Sequence, residues 1–94
     1  MKIIVCCGPE KGKCVVYGDV DEVPRQGERC RVSNARLVIR FAQRSLFGVA
    51  AVGPVGDTRI SAAVPFTDTP VVQEVLGLTD EAIAAIDAWP AYRA

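Results

Sequence analysis

At 94 residues and 10.1 kDa, 50% apolar and 23% charged, the chain suits one small domain, residues 1–94, and is too apolar to be disordered. Eleven Lys and Arg balance eleven Asp and Glu, and a neutral chain lacks the long-range field of a globally cationic nucleic-acid or membrane binder. Histidine is absent, which removes the commonest general base and neutral metal ligand, and no apolar run reaches the roughly 18 residues that span a bilayer.

Lys2–Cys7 is rich in β-branched residues and of strand length. Gly8-Pro9-Glu10-Lys11-Gly12 reads as a turn, and Cys14-Val15-Val16-Tyr17 as the returning strand of a first hairpin. The apolar start is too short for an export signal, so a cytoplasmic location is expected. Asp19 to Gly27 is polar, contains Pro24 and reads as a loop.

Arg29 to Phe41 alternates basic and apolar side chains, the mark of a half-buried strand. Arg31 and Arg36 are an odd number of residues apart, so a flat strand would send them to opposite faces. A bulge or tight turn near Ser33-Asn34-Ala35 would return the arginines to one side, and a break is predicted there.

Leu46 to Val52 and Thr58 to Val64 flank Gly53-Pro54-Val55-Gly56, which fits a second hairpin closed by a type I turn. Pro65 to Pro70 reads as a connector. Val71 to Leu78 suits a strand or a short helix, with its paired valines favouring the strand. Thr79 or Asp80 caps a final helix, with Asp80 and Glu81 in its first turn, where carboxylates meet the positive end of the dipole. Ile83, Ile86 and Trp89 form its expected buried stripe, and Pro90 stops it.

These elements predict a mainly β (α+β) fold: a small curled antiparallel sheet or partly open β-barrel of five to six strands with one C-terminal helix. A chain this size buries only about 60–65% of its unfolded surface. A homo-oligomer would add to that, and Ala50, Ala51, Ala62 and Ala63 would permit close sheet contacts.

The four cysteines are Cys6, Cys7, Cys14 and Cys30. Structural zinc sites use short C-x2-C turns, and adjacent Cys6 and Cys7 on a strand point to opposite faces. Buried or half-buried free thiols are expected, with zinc binding and disulfides as the alternatives. No metal and no cofactor is assigned.

Charge is unevenly spread. Residues 23–67 carry seven arginines, no lysine and two acids, whereas residues 68–94 carry one arginine and five acids. Arginine suits bidentate capture of phosphate or carboxylate. The candidate anion site is Arg31, Arg36 and Arg40 with Arg44 and Arg59. The alternative is a solvated face, or pairing with the acidic C-terminal block. Gly53 to Thr58 could form an anion-binding nest but reads better as a structural turn, since it lacks the Lys-Ser/Thr pair of a P-loop. Tyr17, Phe41 and Phe47 could stack on a base, yet suit core packing. Trp89 reads as the helix anchor. The acidic pairs Asp19/Asp21 and Asp80/Glu81 fall in loop and cap contexts that already explain them, so no catalysis is expected.

The string Val32-Ser33-Asn34-Ala35-Arg36-Leu37-Val38-Ile39-Arg40-Phe41 runs on into Leu46-Phe47-Gly48-Val49-Ala50-Ala51-Val52-Gly53-Pro54 and ends with Asp57-Thr58-Arg59-Ile60-Ser61. Together these resemble a family of small phage and prophage proteins that pairs an Asn-Ala-Arg strand with a Gly-Pro hairpin. Val64-Pro65 and the Thr79-Asp80-Glu81-Ala82 helix start are similar too, so the resemblance spans about residues 17–90. It implies a phage origin and the host cytoplasm, and it assigns no activity.

Three functions are open. The first is a non-enzymatic phage accessory protein with a counter-defence role, which binds or sequesters a small anionic, nucleotide-like ligand in an Arg-lined site at a subunit interface. The second is a protein-binding inhibitor of a host defence or metabolic factor, acting through the acidic helix or a sheet edge. The third is a structural or nucleic-acid accessory module, which the neutral charge disfavours.

Overall fold

The structure is a computed structural model that describes residues 1–7, 14–40 and 45–92. Its elements in chain order are β1 (Lys2–Cys7), β2 (Cys14–Asp19), β3 (Arg31–Arg40), α1 (Leu46–Val52), β4 (Arg59–Ser61), β5 (Val64–Asp68), β6 (Val72–Gly77), α2 (Asp80–Asp87) and β7 (Ala91–Tyr92). The strands form one sheet in the order β6-β1-β2-β3-β4-β7, and β5 pairs with β3 beside β4. Every pairing is antiparallel except β4 with β7.

The expected mainly β fold is present, and of the two expected forms it is the open sheet and not the partly open barrel. It has seven strands instead of five or six, and two helices instead of one. Both sheet faces are apolar in the middle. Ile4 points with Val15, Tyr17, Val38, Ile60 and Leu76 into a layer covered by Val49 and Ala50 of α1 and Ile86 of α2. Ile3, Val5 and Cys7 point the other way, with Val16, Val20, Val32, Ala35 and Val72. This is why Ile3-Ile4-Val5-Cys6-Cys7 is a continuous apolar run and not an alternating one. Each such buried aliphatic side chain contributes about 1.5–3 kcal/mol.

The first hairpin is present as the β1/β2 pair, Lys2↔Asp19 through Cys7↔Cys14. Its turn, residues 8–12, lies outside the described residues. Val72–Gly77 is a strand, as its valines favoured.

The predicted break in β3 takes the form of a bulge. Tyr17 pairs with Arg36 and Asp19 with Ser33, so Asn34 and Ala35 stand opposite Gly18 alone. Asn34 is the one described non-glycine residue with positive φ, at 49°, a region asparagine tolerates. Gly18 accommodates the extra residue. A Cβ there would lie 2.5 Å from Val32 Cγ1 and 2.7 Å from the Ser33 carbonyl oxygen.

Three assignments change. Leu46–Val52 is a helix, not the arm of a second hairpin. Ser45 caps it by accepting from the Gly48 N–H at 3.1 Å, Val49 and Ala50 form its buried side, and Gly53 at φ 98° ends it. Alanine is the strongest helix former, and the run is too short for periodicity to separate helix from buried strand. Ala50 therefore packs at a helix and not in a sheet–sheet contact. A Cβ on Gly53 would stand 2.6 Å from Ala85 Cβ of α2, so small residues let the two helices approach. The turn expected at Gly53–Gly56 moves to Val55–Thr58, where the Thr58 hydroxyl donates to the Val55 carbonyl at 2.6 Å. Finally, the segment read as a connector contains β5. Pro65 is tolerated there because β5 pairs with β3 on one side only among the described residues, and proline is confined to such edges.

Thr79 caps α2 by accepting from the Ala82 N–H at 3.1 Å. Ala82 and Ile86 are its buried residues, and Ile83 is only half-buried. Trp89, half-buried past the helix end, donates from its indole N–H to the Thr58 carbonyl at 2.9 Å.

Candidate functional site

The bulge sets the phase of the arginines. Asp19, Tyr17 and the residues paired with them lie on the helix-bearing face, so Arg31, Arg36 and Arg40 all start from that face. They do not converge. Arg36 lies five residue steps along the strand from Arg31 and Arg40 four steps from Arg36, about 13–16 Å in each case.

Each guanidinium also has its own partner. Arg31 donates to both carboxylate oxygens of Asp68 at 2.8 and 3.1 Å and lies 4.2 Å from the centre of the Phe66 ring. Those bonds hold the Asp68 carboxyl below the usual carboxylate range. Arg40 stands 3.5 Å from Asp57. Arg59 is the Cα partner of Arg40 and stacks on Tyr92 at 4.8 Å. These two are the only pair of the set that the described residues bring side by side. Arg44 and Phe41 lie outside the described residues. Of the other aromatic candidates, Tyr17 is buried in the core and Phe47 is exposed on α1.

Arg36 differs from the rest. It is 7% exposed, and its guanidinium donates to three carbonyls: Ser61 at 2.8 Å, Ile86 at 2.6 Å and Trp89 at 2.9 Å. It therefore joins β3 to the end of β4 and to the C-terminal end of α2, where unpaired carbonyls and the negative end of the dipole favour a cation. Two of its five N–H donors remain after these bonds.

Arg36 lines a pocket of about 480 Å³ with Lys2, Tyr17, Asn34, Asp87 and Trp89, among others. Lys2 Nζ donates to both Asp87 oxygens at 3.0 Å, and the Tyr17 hydroxyl donates to Asp87 Oδ1 at 2.7 Å. Burial, then the Asp87 hydrogen bond, push the Tyr17 hydroxyl well above the usual phenol range. Burial opposes ionisation of Asp87, yet bonds from Tyr17 and Lys2 and the Arg36 charge together hold its carboxyl below the usual range. Two cations thus face one carboxylate in a concave site beside Trp89. That set can hold an anionic group between Lys2 and Arg36, and it can accept a ligand hydroxyl or amine at Asp87.

Sequence reasoning found Arg36 and the bulge beside it but missed Lys2, Asn34 and Asp87. Lys2 and Asp87 are 85 residues apart, and Tyr17 and Asp87 are 70 apart. No local pattern couples them, though the positive φ of Asn34 is the feature the parity argument located. A second opening of about 560 Å³ is lined by Arg29, Cys30, Arg31, Asp68, Thr69 and Pro70. Among the described residues, no group of three or more Cys, Asp or Glu side chains is placed to hold a metal ion, and no helix is long and apolar enough to cross a membrane.

Fold and pocket together define a small, mainly β protein: an open, largely antiparallel sheet with two short helices over one face and a charged pocket at the end of the second. Residues 1–86 match the model of the domain of unknown function DUF6948, and the chain belongs to that family. No curated protein and no solved structure matches it.

Proposed function

We propose that the protein is a non-enzymatic binding module for a small anionic, nucleotide-like ligand, seated in the pocket formed by Lys2, Tyr17, Asn34, Arg36, Asp87 and Trp89. One observation carries this reading: a buried guanidinium with donors to spare and a lysine ammonium face a single carboxylate in a concave site. The excess positive charge suits a phosphate or carboxylate, and the half-buried Trp89 suits a planar or sugar-bearing remainder. This narrows the arginine set to Arg36. Arg31, Arg40 and Arg59 serve the fold through their own partners. The phage origin and host cytoplasm that the resemblance implies are the setting in which this binding would serve an accessory, counter-defence role.

The test is a thermal-shift and calorimetric screen of inorganic phosphate, mononucleotides and cyclic dinucleotides against the full chain. At least one should raise Tm in a saturable way, as a ligand specific to the folded state must. The rise should disappear in Lys2→Met, which leaves the Arg36 bonds intact. If no member of the panel shifts the folded protein, the reading fails.

A protein-binding inhibitor is the second reading. It is supported by Val64 and Phe66 of β5, whose side chains are 49 and 51% exposed. Exposed apolar residues on a strand whose outer edge is unpaired among the described residues suit a partner that adds a strand. Concentration-dependent light scattering on wild type and Phe66→Asp tests whether that partner is a second copy of the chain.

A further inference from the structure

Cys7 and Cys14 are Cα partners at the last register position of the β1/β2 pair. Both belong to the apolar layer on the face away from the helices. Directly opposed residues of antiparallel strands have Cα atoms about 4.5–5.5 Å apart, inside the span of about 4.4–6.8 Å that a disulfide bridges. Cys7 is buried, whereas Cys14 is half-buried and so more open to solvent. Thr69 ties this pair to the larger opening on the surface. Thr69 neighbours Cys7, its hydroxyl lies 3.6 Å from Cys30 Sγ, and it lines the opening together with Arg29, Arg31 and Asp68. Cys6 packs instead against the helix-side layer.

We infer that Cys7 and Cys14 form a reversible dithiol–disulfide site, oxidised by a small, carboxylate-bearing disulfide that the exposed Arg29 at the rim of this opening attracts, Arg31 being paired with Asp68. Cys14 attacks first, as a thiolate, on one sulfur of the small disulfide. That S–S bond breaks, one small thiolate leaves, and a mixed disulfide forms on Cys14. Cys7 then loses its proton to the departing thiolate and attacks Cys14 Sγ, which releases the second small thiol. Two protein thiols are oxidised by two electrons, and the small disulfide is reduced to two thiols. Burial pushes the Cys7 thiol up to about 12, which makes it the resolving and not the attacking sulfur. Cys30 stays reduced, because its sulfur faces the Thr69 hydroxyl and has no register partner among the cysteines.

The test incubates the folded full chain with oxidised glutathione and alkylates the remaining thiols. Tryptic peptides are then mapped, with Lys11 and Lys13 giving cleavage between the two cysteines. Two of the four thiols should escape alkylation, with residues 7 and 14 linked, and dithiothreitol should restore all four. Cys6→Ser should leave the link intact and so assign it to Cys7, and Cys14→Ser should abolish it. Retention of four alkylatable thiols at equilibrium, or a link through Cys6 or Cys30, overturns the proposal.

Discussion

Replacing Arg36 by methionine keeps most of the stem volume and removes every donor. Three carbonyls, those of Ser61, Ile86 and Trp89, then lose a charged partner. Hydrogen bonds to a charged group contribute about 1.5–3 kcal/mol each. Only the Ile86 bond is fully buried, while those to Ser61 and Trp89 are part-buried, so water can replace some of what is lost there. The net cost is about 3–5 kcal/mol. A domain of 94 residues holds about 5–14 kcal/mol in total, so the variant should sit near the edge of folding. Trp89 is the single tryptophan, and its carbonyl is one of the three acceptors, which makes its fluorescence a local reporter. With a urea slope of about 1–3 kcal/mol/M, the midpoint should fall by roughly 1–5 M. Arg36→Lys retains the charge, can reach one or two of the three carbonyls with its ammonium donors, and should lose about half as much. A midpoint for Arg36→Met within a few tenths molar of wild type would refute the claim that this guanidinium holds β3, β4 and α2 together.

Two further predictions concern other parts of the sheet. Gly18→Ala places a Cβ 2.5 Å from Val32 Cγ1 and 2.7 Å from the Ser33 oxygen. Relief requires movement of the bulge at a cost of about 1–3 kcal/mol, read as a fall in Tm. Gly77→Ala, with nothing within 4 Å of its Cβ, should melt close to wild type, and equal Tm values for the two variants would contradict the bulge packing. Asp87 has a folded-state pKa below its unfolded one. Its stabilisation is therefore present above pH of about 4 and is lost as pH falls through the depressed folded value. The carboxylate is 44% exposed, so solvent screening keeps the effect small. Asp87→Asn should flatten the acid limb of a Tm-versus-pH curve, and a limb unchanged from wild type would place the acid dependence elsewhere.

The parts of the fold legible in the sequence were those written in local chemistry. Thr79 followed by Asp80 and Glu81 marks a helix start because the cap acts within one turn. Cys6 and Cys7 fall on opposite faces because strand alternation allows nothing else. α1 was not legible. Leu46–Val52 is apolar or small throughout, and only its packing on α2 through Gly53 and Ala85 selects helix over strand. Pro65 and Pro70 suggested a connector because proline breaks central strands, and only the observed pairing shows that β5 is an edge. The pocket was least legible of all, since Lys2, Tyr17 and Asp87 meet only after β1 and β2 pair and α2 closes over them.

The bulge connects these levels. Continuing the Asp19↔Ser33 register without the inserted residue would set Arg36 opposite Val16 and drive its guanidinium into the apolar layer of Ile3, Val5 and Val32. One extra residue at Asn34 reverses the phase, and Arg36 instead meets Tyr17 beneath the carbonyl end of α2. The parity of the arginines therefore predicted the defect correctly, and the defect does return them to one face. Sharing a face is still a weaker condition than sharing a site. At about 3.3 Å per residue, Arg31 and Arg40 are held near opposite ends of β3, each beside a separate carboxylate. Arginine spacing along one strand can thus report a bulge, but a binding site needs the strand crossings that bring distant residues such as Lys2 and Asp87 to the same guanidinium.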